Sequence, residues 1–498
     1  MQRQIRRVGI VLIFAFLAVF AQLNYVQIFA AKRIAGNNAN IRSLLREYSI
    51  KRGDIVTLDG VKVATSRDTG GRLRYRRTYP QGDLYSHIHG FYSVTFGESR
   101  IEASFHDELL GEGGVITMQE IQDELLGAGE EGDDVRLTIH SRLQEMARTA
   151  LGGERGSVVA MDPNTGEVRA MWSNPSYDAN PLASFTQRQA QRHWDSLDPS
   201  STTSALVPAA TNRGYAPGST MKVVTGAAAL DSGSYQRDST FPDPQALLPC
   251  SESEPPCMPQ TNEDLTNFTK TSCVGGGQID LFTALEISCD TTFAIIGLEI
   301  PDEVFGMAEA VGFNDPLEFD VGTEASGYPE PQDDNQPFWA YQAIGQGDVT
   351  ATPLQMALVA ATVANDGEVP RPRLVREIID SSGRRIREFD AESIGRAMSS
   401  RTASTMAEMM AAVVRSGTGT AAQIPGIEVA GKTGTAQTVQ GASPHAWFIA
   451  FAPANDPQIA VSVIVENGGS FGSEATGGAV AAPIAKRLIE TDRQIRGW

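Results

Sequence analysis

The stretch Gly426-Ile427-Glu428-Val429-Ala430-Gly431-Lys432-Thr433-Gly434-Thr435-Ala436-Gln437 can be read in two ways, and the choice decides the fold. Its first eight residues fit Gly-x-x-x-x-Gly-Lys-Thr, the pattern of a phosphate-cradling loop. Such a loop needs a glycine-rich turn after a strand and a helix opening at the lysine. Here the residues between the glycines alternate apolar and polar, as a half-buried strand does, and Gly434 to Val439 is a poor helix former. We read Glu428–Gln437 as a strand. Two further strand candidates follow, Ala446–Ala452 and Gln458–Val465, and a closing helix is expected over Gly478–Ile495.

The same kind of segment begins near Gly156. Ser157–Met161 and Glu167–Trp172 are strand candidates on either side of Asp162-Pro163-Asn164-Thr165-Gly166, a turn by composition, and so predict a β-hairpin. The middle is rich in helix. One start is marked by Thr352 as N-cap, Pro353 at the first helical position and Gln355 three residues after the cap. That helix runs through Met356–Val363 and stops near Asn365-Asp366-Gly367. Strands at both ends with helices between predict an α+β domain over 154–498, an antiparallel sheet closed by the two ends of the domain and packed with helices. Ahead of it, 34–153 has no dominant period. Short runs such as Ile55–Leu58 and the turn signals Asp59-Gly60 and Gly113-Gly114 predict a β-rich pedestal.

The chain has 498 residues and a formal charge of −19. A phosphate backbone demands a basic face, so nucleic acid is excluded as a partner. Val8–Ala31 is apolar apart from Gln22, Asn24 and Gln27, and Arg3, Arg6 and Arg7 precede it. That length spans about 30 Å of hydrocarbon and predicts a single-pass anchor within 1–33, with the rest of the chain outside the cytoplasm. Lys32 and Arg33 pull against that orientation. A cleaved signal peptide is the alternative, but its apolar core runs only about 7–15 residues. The four cysteines, Cys250, Cys257, Cys273 and Cys289, lie in one polar stretch without a Cys-x-x-Cys pair or a nearby histidine, which argues against zinc. In an exported protein an even count suggests disulfides. Of three possible pairings, Cys250–Cys257 with Cys273–Cys289 closes the shortest loops; free buried thiols are the alternative.

Among the lysines only Lys222 has a serine three residues before it, in Tyr215-Ala216-Pro217-Gly218-Ser219-Thr220-Met221-Lys222. Residues three apart on a helix share a face. A serine hydroxyl needs an adjacent base to become a nucleophile, and a desolvated lysine can be that base. Ser-x-x-Lys alone also occurs on ordinary surface helices. Ser288-Cys289-Asp290, between the helix-like runs Asp280–Ile287 and Thr291–Leu298, reads alone as a helix-end cap, and Lys432-Thr433-Gly434-Thr435 alone as an edge strand. The small residues beside Lys432 would let a substrate backbone lie along that strand, with the lysine and hydroxyls facing a carboxylate.

Taken together and in this order, the three elements resemble the Ser-x-x-Lys, Ser-x-Asn and Lys-Thr-Gly signature of penicillin-binding proteins and class A β-lactamases. Arg52-Gly53-Asp54-Ile55 with Asp59-Gly60, Glu102, and Gly345-Gln346-Gly347 before Thr352-Pro353-Leu354-Gln355 resemble the single-pass class B transpeptidases of actinobacterial type. The resemblance implies an acyl-enzyme on Ser219, formed on the penultimate D-alanine of a peptidoglycan stem peptide. It implies Lys222 as general base, Ser288 as proton relay, and Lys432, Thr433 and Thr435, beside Gly434, as holders of the substrate carboxylate. Backbone N–H groups of Ser219 and Thr435 would form the oxyanion hole. It implies no metal or other cofactor, β-lactams as covalent inhibitors, and a polytopic glycan-polymerising glycosyltransferase as partner at the membrane.

One position departs from the pattern: Asp290 stands where the family usually has asparagine. An ionised carboxylate cannot donate to a substrate carbonyl as an amide can, and beside Lys222 it favours the ammonium form. Three alternatives share the motifs: a secreted β-lactamase, which needs neither anchor nor pedestal; a D,D-carboxypeptidase; and a non-catalytic scaffold or β-lactam sensor in which Asp290 marks lost activity.

Overall fold

The computed structural model describes residues 6–7, 14–20, 22, 41–113, 131–437 and 443–498. Most of Val8–Ala31 lies outside them. Residues 14–20 and 22 are helical, with Phe14, Phe16 and Phe20 exposed. No helix of the described residues is long and apolar enough to cross a membrane.

The N-terminal part is built on short strands. β1 (Ile55–Val56) turns back through Asp59-Gly60 into β2 (Lys62–Asp68), which pairs with β3 (Tyr75–Thr78). The turn is closed by the Thr57 hydroxyl, which donates to Asp59 at 2.8 Å and accepts from Val61 N–H, while Gly60 takes φ 84°. β4 (Asp134–Leu137) lies parallel to β1 on its other side. Below this sheet Glu102 is fully buried between Arg52 and Arg77, at 2.7 and 2.6 Å.

β5 (Gly156–Met161) and β6 (Val168–Asn174) form the hairpin expected from the sequence. Asp162 Oδ1 accepts the N–H groups of Asn164 and Thr165 across its turn. Gly166 is required there: φ is 71°, and a Cβ would sit 1.9 Å from the Arg371 carbonyl. Helices α1 (Lys222–Asp231), α2 (Asp290–Glu299) and α3 (Pro353–Ala364) follow. Every residue of α3 is buried, as its nearly unbroken apolar sequence requires. Thr352 caps it, accepting from Gln355 N–H at 3.1 Å, but the Gln355 amide donates to Val311 O instead of returning to the cap. The expected capping pair is therefore only half formed.

β7 (Val375–Ile379) and β8 (Arg385–Glu388) then cross back to the N-terminal region, β7 pairing antiparallel with β4. The sheet there has six strands in the order β8-β7-β4-β1-β2-β3. After α4 (Ser400–Arg415) come β9 (Ala430–Ala436), β10 (His445–Ala452) and β11 (Ile459–Val465), and the described chain ends on α5 (Ala482–Arg496). The second sheet has the order β9-β10-β11-β5-β6, antiparallel throughout, so both ends of the region do close one sheet. Its central strands are buried on both faces, between α3 and α4 on one side and α5 on the other. Cys250 is bonded to Cys257 and Cys273 to Cys289, the pairing that closes the shortest loops.

Candidate active site

Gly218–Thr220 makes a tight turn before α1, and two backbones close on it. Gly218 N–H donates to Gly345 O at 2.9 Å, and a Cβ on Gly345 would lie 2.1 Å from Gly218 O. On the other side a Cβ on Gly434 would lie 2.9 Å from both Pro217 O and Thr220 Cγ2. Glycine at both places lets β9 and the Gly345-Gln346-Gly347 segment pack directly on the turn. Trp447 on β10 donates through Nε1 to Ala216 O at 3.0 Å, tying the approach to the turn to the sheet. Ser219 is half-buried, and its hydroxyl makes no hydrogen bond among the described residues.

Lys222, one helical turn on, is fully buried. Its Nζ donates to Asp290 Oδ1 at 2.7 Å and Ser288 O at 2.8 Å, with Ser288 Oγ at 3.4 Å. Lys432, also fully buried, donates from β9 to the same Ser288 Oγ at 2.7 Å and to Thr433 O at 3.0 Å. One hydroxyl thus stands between two lysines that arrive from elements 210 residues apart in sequence (432 − 222). Ser288 can reach it because its backbone is left-handed, φ 66°, turning the chain sharply before α2. Thr433 Oγ1 lies 2.6 Å from the Thr418 hydroxyl; Thr435 is half-buried.

Burial pulls the Lys222 amine below the usual lysine value, and Asp290 offsets only part of that. The sequence-based concern that Asp290 holds the lysine charged therefore meets an opposing and larger effect. Lys432 lies well below its usual value, through burial first and then the neighbouring Lys222.

The structure brings Ser219, Lys222, Ser288, Asp290, Lys432, Thr433, Gly434 and Thr435 together around one turn. It adds two groups that the sequence did not point to. Asn267 is buried and accepts through Oδ1 the N–H groups of Asp290 at 3.1 Å and Thr291 at 3.0 Å; Phe268 N–H donates to Asp290 Oδ2 at 2.9 Å. Both belong to the polar insertion that the cysteines staple. The only trace of them in the sequence is Cys289 inside the Ser-x-Asp element, which ties the insertion to it.

Residues 156–490 match the family described as the penicillin binding protein transpeptidase domain, and residues 52–135 the penicillin binding protein A dimerisation domain. The chain is 37% identical over 503 residues to a peptidoglycan D,D-transpeptidase PbpA of Mycolicibacterium smegmatis, covering 98% of each. It is 34% identical to the protein of that name from Mycobacterium tuberculosis, covering 99% of each. The structure of penicillin-binding protein A from M. tuberculosis as a ceftriaxone acyl-enzyme complex superposes with TM-score 0.83 at 33% identity, over 90% of this chain and 99% of that one.

Proposed function

Since this chain belongs to the penicillin-binding protein transpeptidase family and is a serine peptidoglycan D,D-transpeptidase inhibited by β-lactams, we propose that its acyl-enzyme forms on Ser219. Lys222 takes the hydroxyl proton as Ser219 Oγ attacks the penultimate D-alanine carbonyl. The N–H groups of Ser219 and Thr435 receive the oxyanion. As the C–N bond breaks, Ser288 passes a proton to the departing D-alanine amine. An amine of a neighbouring strand then attacks the ester and completes the cross-link. Lys432, Thr433 and Thr435 hold the terminal carboxylate of the donor peptide. A carboxylate arriving beside Lys432 would raise its proton affinity, opposing the burial that lowers it in the free enzyme.

The observation that carries this reading is the Ser288 hydroxyl shared by Lys222 and Lys432, with β9 packed on the Ser219 turn. Intact-mass analysis after exposure to penicillin tests it. Wild type should gain one drug, and Ser219→Ala none; an adduct on the alanine variant would end the assignment.

A weakened enzyme acting as scaffold or sensor is the second reading, favoured by one observation: Lys222 is engaged by Asp290 and not by Ser219. Complete absence of an adduct on folded wild-type protein would decide for it. Between the two stands an active enzyme with altered β-lactam reactivity. Acylation rates of wild type and Asp290→Asn that coincide across several drugs would sink that idea.

We also propose that 1–33 anchors the chain, 34–153 forms a pedestal and 154–498 is the transpeptidase region, with catalysis outside the cytoplasm. Anchor and pedestal dock a polytopic glycan-polymerising glycosyltransferase. Detergent extracts from which no such partner co-purifies would count against that docking.

A further inference from the structure

The Ser288-Cys289-Asp290 corner is held from outside by the insertion 243–277, which none of the roles above uses. Asn267 is 3% exposed although Thr266, Phe268 and Thr269 around it are exposed. Its Oδ1 serves two N–H groups of the first turn of α2, donors that a helix leaves without internal partners. Its Nδ2 donates to Pro244 O at 3.2 Å and Thr271 O at 3.0 Å, so the side chain is engaged at both ends. Asp243 accepts the N–H groups of Cys273, Val274 and Gly276, and the Cys273–Cys289 bond fixes the insertion to the corner itself. Phe268 N–H then reaches Asp290 Oδ2 at 2.9 Å, while Oδ1 takes Lys222 at 2.7 Å.

Both of those partners donate. A carboxylate can accept from each of them, but an amide has one oxygen. If that oxygen faced Phe268, the NH2 group would turn toward Lys222 and compete for the lone pair the amine needs to deprotonate Ser219. If it faced Lys222, two donors would oppose each other at Phe268. We propose that Asn267 is a positioning residue for acylation, and that with the Phe268 N–H it fixes Asp290 against Lys222, which is why this insertion requires aspartate there. The inference rests on the reading of Ser219 and Lys222 given above.

The test follows acylation by benzylpenicillin, by intact mass, on full-length wild type, Asn267→Ala, Asp290→Asn and the double variant, with melting curves alongside. Asn267→Ala leaves donors at the corner unpaired and should slow acylation about tenfold or more, as should the mismatched amide of Asp290→Asn. Because the two residues act as one unit, the double variant should be no slower than the slower single one. Replacing Cys250 and Cys257 by serine, which loosens the far end of the insertion, should leave the rate near wild type. Losses that multiply in the double variant would overturn the proposal, as would a serine pair as slow as Asn267→Ala. So would Asp290→Asn acylating as fast as wild type, a result that stands even if Asn267→Ala does not fold. Wild type without any adduct would instead refute the reading of Ser219.

Discussion

Two places in this molecule set two cations around one buried or half-buried carboxylate, and they behave in opposite ways. In the N-terminal region Arg52 and Arg77 both donate to Glu102, at 2.7 and 2.6 Å, with the Tyr79 hydroxyl at 3.3 Å. Burial pushes the Glu102 carboxyl up, but the two arginines outweigh it and hold it below its usual value. Arginine cannot shed its proton, so the charges are permanent and the geometry is locked. At Ser219 the cations are lysines, only one of which touches Asp290. Burial wins there and both amines lie below their usual values. The same grouping of two basic side chains and one carboxylate keeps its charges fixed in one case and has the proton affinity of its basic groups lowered in the other. The choice of cation decides which.

Lys222→Arg should convert the second place into a copy of the first. The fold should survive, and acylation by penicillin should fall on the order of 10²–10⁴-fold, the usual worth of a general base. A variant within tenfold of wild type would erase the distinction. Glu102→Gln attacks the other side of it. Two buried guanidinium groups lose the counter-charge they share, leaving Arg52 only Glu98 at 3.8 Å, so unfolding should become easier by roughly 3 kcal/mol, with the acylation rate per folded molecule unchanged.

The pH profile separates the two places without mutation. Acylation should rise about tenfold per unit as Lys222 loses its proton, levelling off below pH 10.5, the ordinary lysine value. Over that alkaline range Glu102 and its two arginines should add no slope to thermal stability, since folded and unfolded chains hold the same protons on them. On acidification stability should fall instead. His87 and His89 are buried with their pKa values pulled from 6.5 to about 4, so between those values the unfolded chain binds more protons than the folded one. Melting temperatures that are flat from pH 7 down to 4 would contradict this. Arg77→Lys gives the smallest effect, about 1 kcal/mol, through loss of the planar fork that reaches both Glu102 and the Gly53 carbonyl.

Much of this was legible in the chain. Ser219 with Lys222, and Lys432 in its strand, are local patterns, and the hairpin around Asp162 and the shortest-loop cysteine pairing are local too. The missing parts are contacts made at long range. β7 joins a sheet whose other partner strand, β4, ends at Leu137, and no local period announces that pairing. Gln355 carries the letter of a capping pair, yet Val311 lies within its reach and takes its amide. Asn267 looks like one more polar residue in a polar insertion until the fold lays it on α2.

The return of residues 375–388 to the N-terminal sheet has a consequence for how the protein is made. As synthesis proceeds, β4 presents an open row of amide and carbonyl groups on the side away from β1, and no strand comes to cover it until residue 379 has emerged. A fragment cut at residue 153 would keep that row bare permanently and should stick to its own kind. Anyone preparing the N-terminal region by itself would do better to graft the 375–388 hairpin onto it.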